Sequence, residues 1–367
     1  MKSEKLDIII PAYKAQNTIY RTLASIAMQA IIDDIEVTIV NDCDGSDYQD
    51  YINYYSKFFK IKEIKMPENG GPGVARQYGY DHTSNPYVTF IDADDTFAGA
   101  FVLRELRKQL MDNKKSCMIS GIFCEEQEYP DGTFRYMPHQ QDMVWMFGKM
   151  YKRSFLDRHN IRFNKTRANE DNGFNTLIRL CANENEQISF SSDVIYFWHI
   201  NENSITRINN CEYSYNQSFP GYTDNMIYAI TEAKKRNPFN GYIKLFSIEV
   251  MCNLYEYYIE TVARDKRFIE QNFEACRKFY HEIYRHIEPE ITDEIFSQVY
   301  NNIMENAYRG KKLVGIIPCT GIKEFMKELK EKDSSYIEQP KLEMLPKPIY
   351  QEDKKEEKKS NEAVKNK

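Results

Sequence analysis

Short apolar runs alternate with stretches of helical spacing through the first hundred residues, and each run is closed by a polar or glycine-rich turn. Residues 6–11 are apolar and end at Pro11, which predicts a buried strand. Residues 18–29 place Ile19, Leu23, Ile26 and Ala27 on one helical face. Strand signals recur at 36–40, 61–66 and 87–91, and helical ones at 47–59, 73–81 and 98–113. Strands that alternate with helices pair in parallel, because a parallel connection has to cross over the sheet. The sheet is then covered on both faces.

Further on, strands are expected around 117–124 and 193–199. A hairpin turn is expected at Tyr129, Pro130, Asp131, Gly132 and Thr133, and a helix from Asn169 with Phe174, Leu177, Ile178 and Cys181 on one face. After about residue 210 the spacing becomes helical throughout, as in Ile243, Phe246, Val250, Leu254 and Tyr257. Beyond Ser334 the chain is rich in Pro, Lys and Glu and too poor in apolar residues to build a core. The expected organisation is an α/β domain over 1–210, a helical region over 211–337 and a disordered charged tail over 338–367.

Composition excludes several classes. Apolar residues at 42% support a real core, and a net charge of −6 argues against a surface made mainly to hold duplex nucleic acid. No run approaches the roughly 20 apolar residues of a membrane span, and the polar start reads directly into a strand rather than a secretory signal. Eight cysteines without a CxxC pair fit reduced thiols and a cytoplasmic location.

Five places carry residues suited to chemistry. Phe90 and Ile91 lead into Asp92, Ala93, Asp94 and Asp95. Acids delivered to the carboxyl end of a strand stand where open α/β sheets bind ligands. Crowded carboxylates suit a hard cation such as Mg²⁺ or Mn²⁺, or the cap of a following helix. Asn69, Gly70, Gly71, Pro72 and Gly73 precede a helix and let backbone N–H groups approach a phosphate, unless they form a plain turn. Asp42, after the second strand, reads as part of a simple turn or as an acid that accepts from a base or ribose. Glu170 and Asp171 follow Asn169, a natural N-cap residue, and read either as first-turn acids or as a general base. His199 reads as a structural histidine or as a further metal ligand.

In order, these stretches resemble a family 2 glycosyltransferase of the GT-A fold. The resemblance is carried by Ile8 to Tyr13, Val40-Asn41-Asp42 with Gly45 and Ser46, Asn69 to Gly73 with Arg76, and Asp92-Ala93-Asp94. It continues through Phe147 to Arg153, Ile161 to Asp171, and Tyr196 to Thr206. It implies a Rossmann-like mixed sheet, an inverting transfer from a nucleotide-diphosphate sugar, usually UDP-linked, and Mn²⁺ or Mg²⁺ as cofactor. Pro11, Tyr13, Asp42, Gly71, Arg76, Asp92 and Ala93 would then hold the donor, and Asp94 and His199 the cation. Asp171 would be the base, with Glu170 orienting the acceptor or sharing that role. Lys14 and Cys43 depart from the family pattern. The acceptor would be a surface polymer, a protein or a modified nucleic acid, and the helical region a place for it or for a second copy of the chain. The alternatives are a sugar nucleotidyltransferase, which would want its glycine-rich loop after the first strand, and a silent nucleotide-sugar or glycan-binding module, which would lack a base.

Overall fold

The computed structural model describes residues 4–201, 212–237, 240–309, 313, 316–318, 321–331 and 342–344. The chain divides into two compact units, Met1–Lys244 and Leu245–Lys367.

The first unit begins with β1 (Leu6–Ala12), α1 (Ile19–Ala27), β2 (Ile35–Asn41), α2 (Gln49–Tyr55), β3 (Lys60–Lys65), α3 (Pro72–Asp81) and β4 (Tyr87–Phe90). These are the alternating elements expected from the sequence. The four strands are parallel in the order β3-β2-β1-β4. Both sheet faces are covered. Ile8 and Ile10 join a core with Leu23 and Ile26 of α1. On the other face Gly79 of α3 lies so close that a Cβ there would meet Ile9 Cγ2 at 2.5 Å and Val40 Cγ2 at 2.8 Å. Full burial of each such aliphatic side chain stabilises the fold by about 1.5–3 kcal/mol.

The sheet then turns mixed. β5 (Thr96–Phe97), α4 (Val102–Asp112), β6 (Ser116–Glu128), β7 (Phe134–His139), β8 (Lys149–Lys152), α5 (Arg153–Arg158), α6 (Glu170–Cys181) and β9 (Gln187–Trp198) follow. The strand order continues β4-β8-β6-β9-β5, and β7 pairs with β6 through the expected hairpin. β8 runs antiparallel to both β4 and β6, so its first residue lies at the edge where β4 ends. The sequence gives little sign of β8, since four residues are too few to display a period.

A π-helical turn (Tyr213–Ser218) leads into α7 (Phe219–Arg236). This helix packs on α6 by way of two glycines. A Cβ on Gly221 would meet Ala168 O at 2.7 Å, and one on Gly173 would meet Asn225 Oδ1 at 2.5 Å. The first compact unit runs to Lys244.

The second unit is mainly helical. It holds α8 (Gly241–Arg264) from Leu245 onward, α9 (Ile269–Glu282), α10 (Asp293–Arg309) and α11 (Ile322–Glu331). A small antiparallel pair, β10 (Ile316–Pro318) and β11 (Leu342–Met344), belongs to it. Tyr258 and Phe325 stack within it, ring centroids 4.9 Å apart, and Phe273 meets Phe325 edge-to-face. Apart from β11, the tail read at 338–367 lies outside the described residues, as does the Ser204-Ile205-Thr206 stretch. Among the described residues no helix is long and apolar enough to cross a membrane.

Candidate active site

The carboxyl ends of β1 and β2 are laced together. At the end of β1, Pro11 is half-buried and Tyr13 is 53% exposed. Lys14 adopts a left-handed backbone (φ 51°), as does Cys43 after β2 (φ 53°). The Lys14 N–H donates to the Asp44 carboxylate, and the Ala15 N–H donates to Tyr48 Oη at 3.2 Å. Cys43 thus occupies a conformation that glycine adopts without strain and that costs a residue with a Cβ about 1–2 kcal/mol.

Asp42 is buried, and its carboxylate is taken. Oδ1 accepts from Gly70 N at 2.7 Å, while Oδ2 accepts from Gly71 N at 2.8 Å and from Asn69 Nδ2 at 3.0 Å. The glycine bend therefore gives its N–H groups to an acid of the chain. Gly71, expected to offer its N–H to a phosphate, and Asp42, expected to offer its carboxylate to a base or ribose, meet each other in the structure. The two satisfy each other, because a buried carboxylate left unpaired would be costly. Gly71 (φ 83°) takes a conformation open to glycine and starts α3 with Pro72 at its first turn.

The acids after β4 form a different kind of cluster. Asp95 caps no helix, since β5 follows at once. Its Oδ2 accepts from Tyr196 Oη at 2.6 Å and its Oδ1 from His199 N at 2.8 Å. It is fully buried, and burial together with Asp94 and Asp92 pushes its carboxyl well above the usual range. Ala93 is buried between the acids. Asp94 accepts from Asn201 Nδ2 at 2.7 Å, and burial plus the Asp92 charge raise it as well. His199 lies beside this strand end. Its Nε2 is 2.8 Å from Thr96 Oγ1 and its Nδ1 3.4 Å from Glu126 Oε2. Burial first, then the Arg21 charge, lower its pKa. Both ring nitrogens therefore already have partners, and no three His, Cys, Asp or Glu side chains converge on one point among the described residues. The donor set still suits a hard divalent cation: Asp92 and Asp94 are oxygen ligands whose mutual repulsion a cation relieves.

Arg76 joins this cluster to α6. It is buried, with Nη2 2.7 Å from Asp92 Oδ1 and Nη1 2.9 Å from Glu170 Oε1, while its Nε has no partner. Burial disfavours its charge, but Asp92, Glu170 and Asp171 outweigh that and hold it firmly protonated. Glu170 is spent on this pair and is buried under Gly73. A Cβ on Gly73 would meet Glu170 Cγ at 2.5 Å. Asp171, the next residue, is only partly buried. Its Oδ1 accepts from its neighbour Asn172 N at 2.7 Å. Burial and the Glu170 charge push its carboxyl up to about 7, against the opposing pull of Arg76. Asn169 is no side-chain cap: it is left-handed (φ 59°), and its amide donates to Ser218 O at 2.9 Å.

Several contributors escaped the sequence reading. Arg21 of α1 places a positive charge near Asp94 and His199. Tyr196 binds Asp95 and accepts from Asp92 N at 3.2 Å. Lys149, at the start of β8, is fully buried with its Nζ 3.2 Å from Asp142 Oδ1. Only the last had a local signal, a charged residue inside the apolar stretch Met146 to Tyr151.

Residues 7–170 match the family described as Glycosyl transferase family 2. The glycosyltransferase GlyA of Streptococcus pneumoniae is 24% identical over 229 residues, 56% of this chain and 32% of that protein. The poly(ribitol-phosphate) beta-N-acetylglucosaminyltransferase TarP of Staphylococcus aureus is 23% identical over 212 residues, 54% of this chain and 64% of that one. The chain thus spans about a third of GlyA and just under two thirds of TarP. Among solved structures, Staphylococcus aureus TarS 1–349 in complex with UDP-GlcNAc superposes with a TM-score of 0.61 at 17% identity, covering 84% of this chain and 92% of that one. The mixed α/β fold of the two proteins is the same.

Proposed function

We propose that the chain, whose residues 7–170 match the family 2 glycosyltransferases, moves a sugar from a UDP-linked donor to an acceptor hydroxyl, with inversion. One observation carries the reading. Arg76 holds Asp92 and Glu170 at once, so acids at the ends of β4 and at the start of α6 flank one place. UDP as the leaving group is supported by the fold shared with TarS, whose crystal structure holds UDP-GlcNAc.

The chemistry follows from the charges. As the bond from the anomeric carbon to the diphosphate oxygen breaks, its electron pair leaves with UDP and positive charge spreads over the sugar ring. Asp92, paired with Arg76 Nη2, supplies negative field on that side. Asp94 with Asp92 would hold the Mg²⁺ or Mn²⁺. His199 would join them by giving up Thr96. When bound, the ion neutralises charge on the leaving diphosphate. Pro11, Tyr13, Asp42, Gly71 and Ala93 would shape the nucleotide end, with Asp42 acting through the glycine bend it ties down.

Asp171 is the base. Its raised pKa makes it a stronger base than an exposed aspartate while leaving it ionised above about pH 7. It takes the proton of the attacking hydroxyl, and one displacement with one base inverts the anomeric carbon. Glu170 keeps Arg76 in place and thereby the field around Asp171. A cytoplasmic setting, where UDP-sugars are accessible, fits this use.

Calorimetric titration with UDP, with and without EDTA, followed by UDP release from a panel of UDP-sugars, tests the proposal. Asp171→Asn should lower transfer by about 10²–10⁴-fold while UDP still binds. Undiminished transfer by that variant would remove Asp171 as the base.

A further inference from the structure

The chain has two tryptophans, and the fold brings them together. Trp145 lies in the loop before β8 and Trp198 ends β9, yet their ring centroids are 5.0 Å apart. Both are partly exposed at the margin of the core. Phe147 backs both, parallel to Trp145 within 3° and 5.1 Å from Trp198.

Each tryptophan is tied to one of the two acid groups. The Trp145 carbonyl accepts from Asn175 Nδ2 at 3.0 Å, and Asn175 stands one helical turn after Asp171. Trp198 comes two residues after Tyr196, which binds Asp95 and the Asp92 N–H. The Trp145 loop is also built with unusual care. Asp142 Oδ1 accepts from Val144 N at 3.0 Å, Trp145 N at 2.9 Å and the buried Lys149 Nζ at 3.2 Å. Gly148 takes a left-handed turn (φ 64°) to bring the chain back into β8. A buried Lys–Asp pair is a costly way to fix a loop tip, and it holds a half-buried aromatic ring in one orientation.

Topology says which substrate meets this surface. In the strand order, the β1 and β2 ends lie on one side of β4, and β8, β6 and β9 on the other. The acids after β4 therefore lie between the nucleotide end and the tryptophans. We propose that Trp145 and Trp198 form the acceptor platform, and that the acceptor presents a pyranose ring whose C–H face packs on these indoles. A pyranose chair presents axial C–H bonds on its ring faces. Aromatic faces attract that weakly positive surface and remove it from water, whereas an open-chain polyol phosphate offers no such face. The proposal rests on the donor-side reading above and adds the acceptor class.

Because both tryptophans belong to the platform, intrinsic tryptophan fluorescence reports on nothing else in the chain. The UDP-loaded protein is titrated with methyl pyranosides and short β-linked oligosaccharides, and with oligomeric glycerol phosphate as a ringless probe. UDP release from UDP-sugars is followed with the same compounds. A pyranoside should shift the emission and accelerate UDP release, and glycerol phosphate should do neither. Trp145→Ala and Trp198→Ala should each raise the pyranoside KM about tenfold with the Kd for UDP unmoved, and Trp145→Phe should recover part of the loss. An accelerating pyranoside with the same KM in both alanine variants overturns the platform. So does acceleration by glycerol phosphate alone in a protein that binds UDP. Failure to bind UDP at all would instead remove the donor reading, and calorimetry separates the two.

Discussion

The turn after β2 and the turn after β4 follow parallel strands of one sheet, and each carries aspartates, yet they are built in opposite ways. Asp42 is surrounded by donors, with Gly70 N, Gly71 N and Asn69 Nδ2 on its two oxygens. Asp94 has one amide donor and two acidic neighbours, and burial drives its carboxyl upward. The first turn uses its acid to shape the chain. The second leaves its acids short of donors, and on the function proposed above that is where a ligand would meet them. On that reading the same residue type at the same kind of strand end would shape the chain in one case and serve the chemistry in the other, and the hydrogen-bond donors around it would decide which.

The strongest way to break this contrast is to remove the cation that bridges the acid groups. Arg76→Met leaves Glu170 buried without a counter-charge and frees Asp92, and it should destabilise the first unit by about 3–5 kcal/mol. Urea unfolding monitored by circular dichroism measures it. A loss below 1 kcal/mol, well within the reach of an exposed pair, would mean that Arg76 does not hold the two groups together. Next comes the direct comparison of the two turns. Asp42→Ala orphans two backbone N–H groups and should cost about 2–3 kcal/mol. Asp94→Ala removes a repelled carboxylate and should leave stability within about 0.5 kcal/mol of the parent or raise it. Divalent-cation dependence of UDP binding should vanish only in the second. Equal effects of both on stability would erase the distinction drawn here.

Much of this was legible in the residues. The apolar runs of β1, β2 and β4 and the face of α1 announce a covered parallel sheet, and the positions of Asp92, Asp94, Glu170 and Asp171 announce acids at strand and helix ends. What the residues could not announce is who satisfies whom. The Asp42 carboxylate and the Gly71 N–H look equally ready for a nucleotide until the fold places them 2.8 Å apart. Asn169 reads as a cap by type, but α7 supplies Ser218 and draws its amide away from the helix. Glu170 and Asp171 are indistinguishable in sequence. Only their environments separate them: one is spent on Arg76, and the other keeps a raised pKa.

A smaller perturbation tests how tightly α3 and α6 have to approach. Gly73→Ala places a methyl group within clashing distance of both Glu170 Cβ and Cγ, atoms held in place by the pair with Arg76. The helices must separate, at about 1–3 kcal/mol. Transfer should fall more than UDP binding, because the displacement reaches Asp171 first. A fall in UDP binding with unchanged turnover would instead assign Gly73 to the nucleotide end.

The smallest effect is the most specific, and its sign is unusual. Asp171 has a folded-state pKa of about 7, above the 3.8 of an ordinary aspartate. Between those two values the folded chain binds a proton that the unfolded chain has already lost. Stability from this group is therefore full at low pH and is lost as pH rises through about 7. Carboxylates held below their usual range, such as Glu36 and Glu186, act in the opposite direction, but only as pH falls into the ordinary carboxylate range. Asp94 and Asp95, also raised, add to this decline and His199, lowered, opposes it, so the difference between the parent and Asp171→Asn isolates this group across the window from pH 5 to 8. Tm should decline across that window in the parent more steeply than in the variant. Asp171→Asn, which cannot ionise, should flatten that part of the curve and lie above the parent at pH 8. A variant with the same slope as the parent would place the proton on another group, and the base at Asp171 would then have no reason to be poised near neutrality.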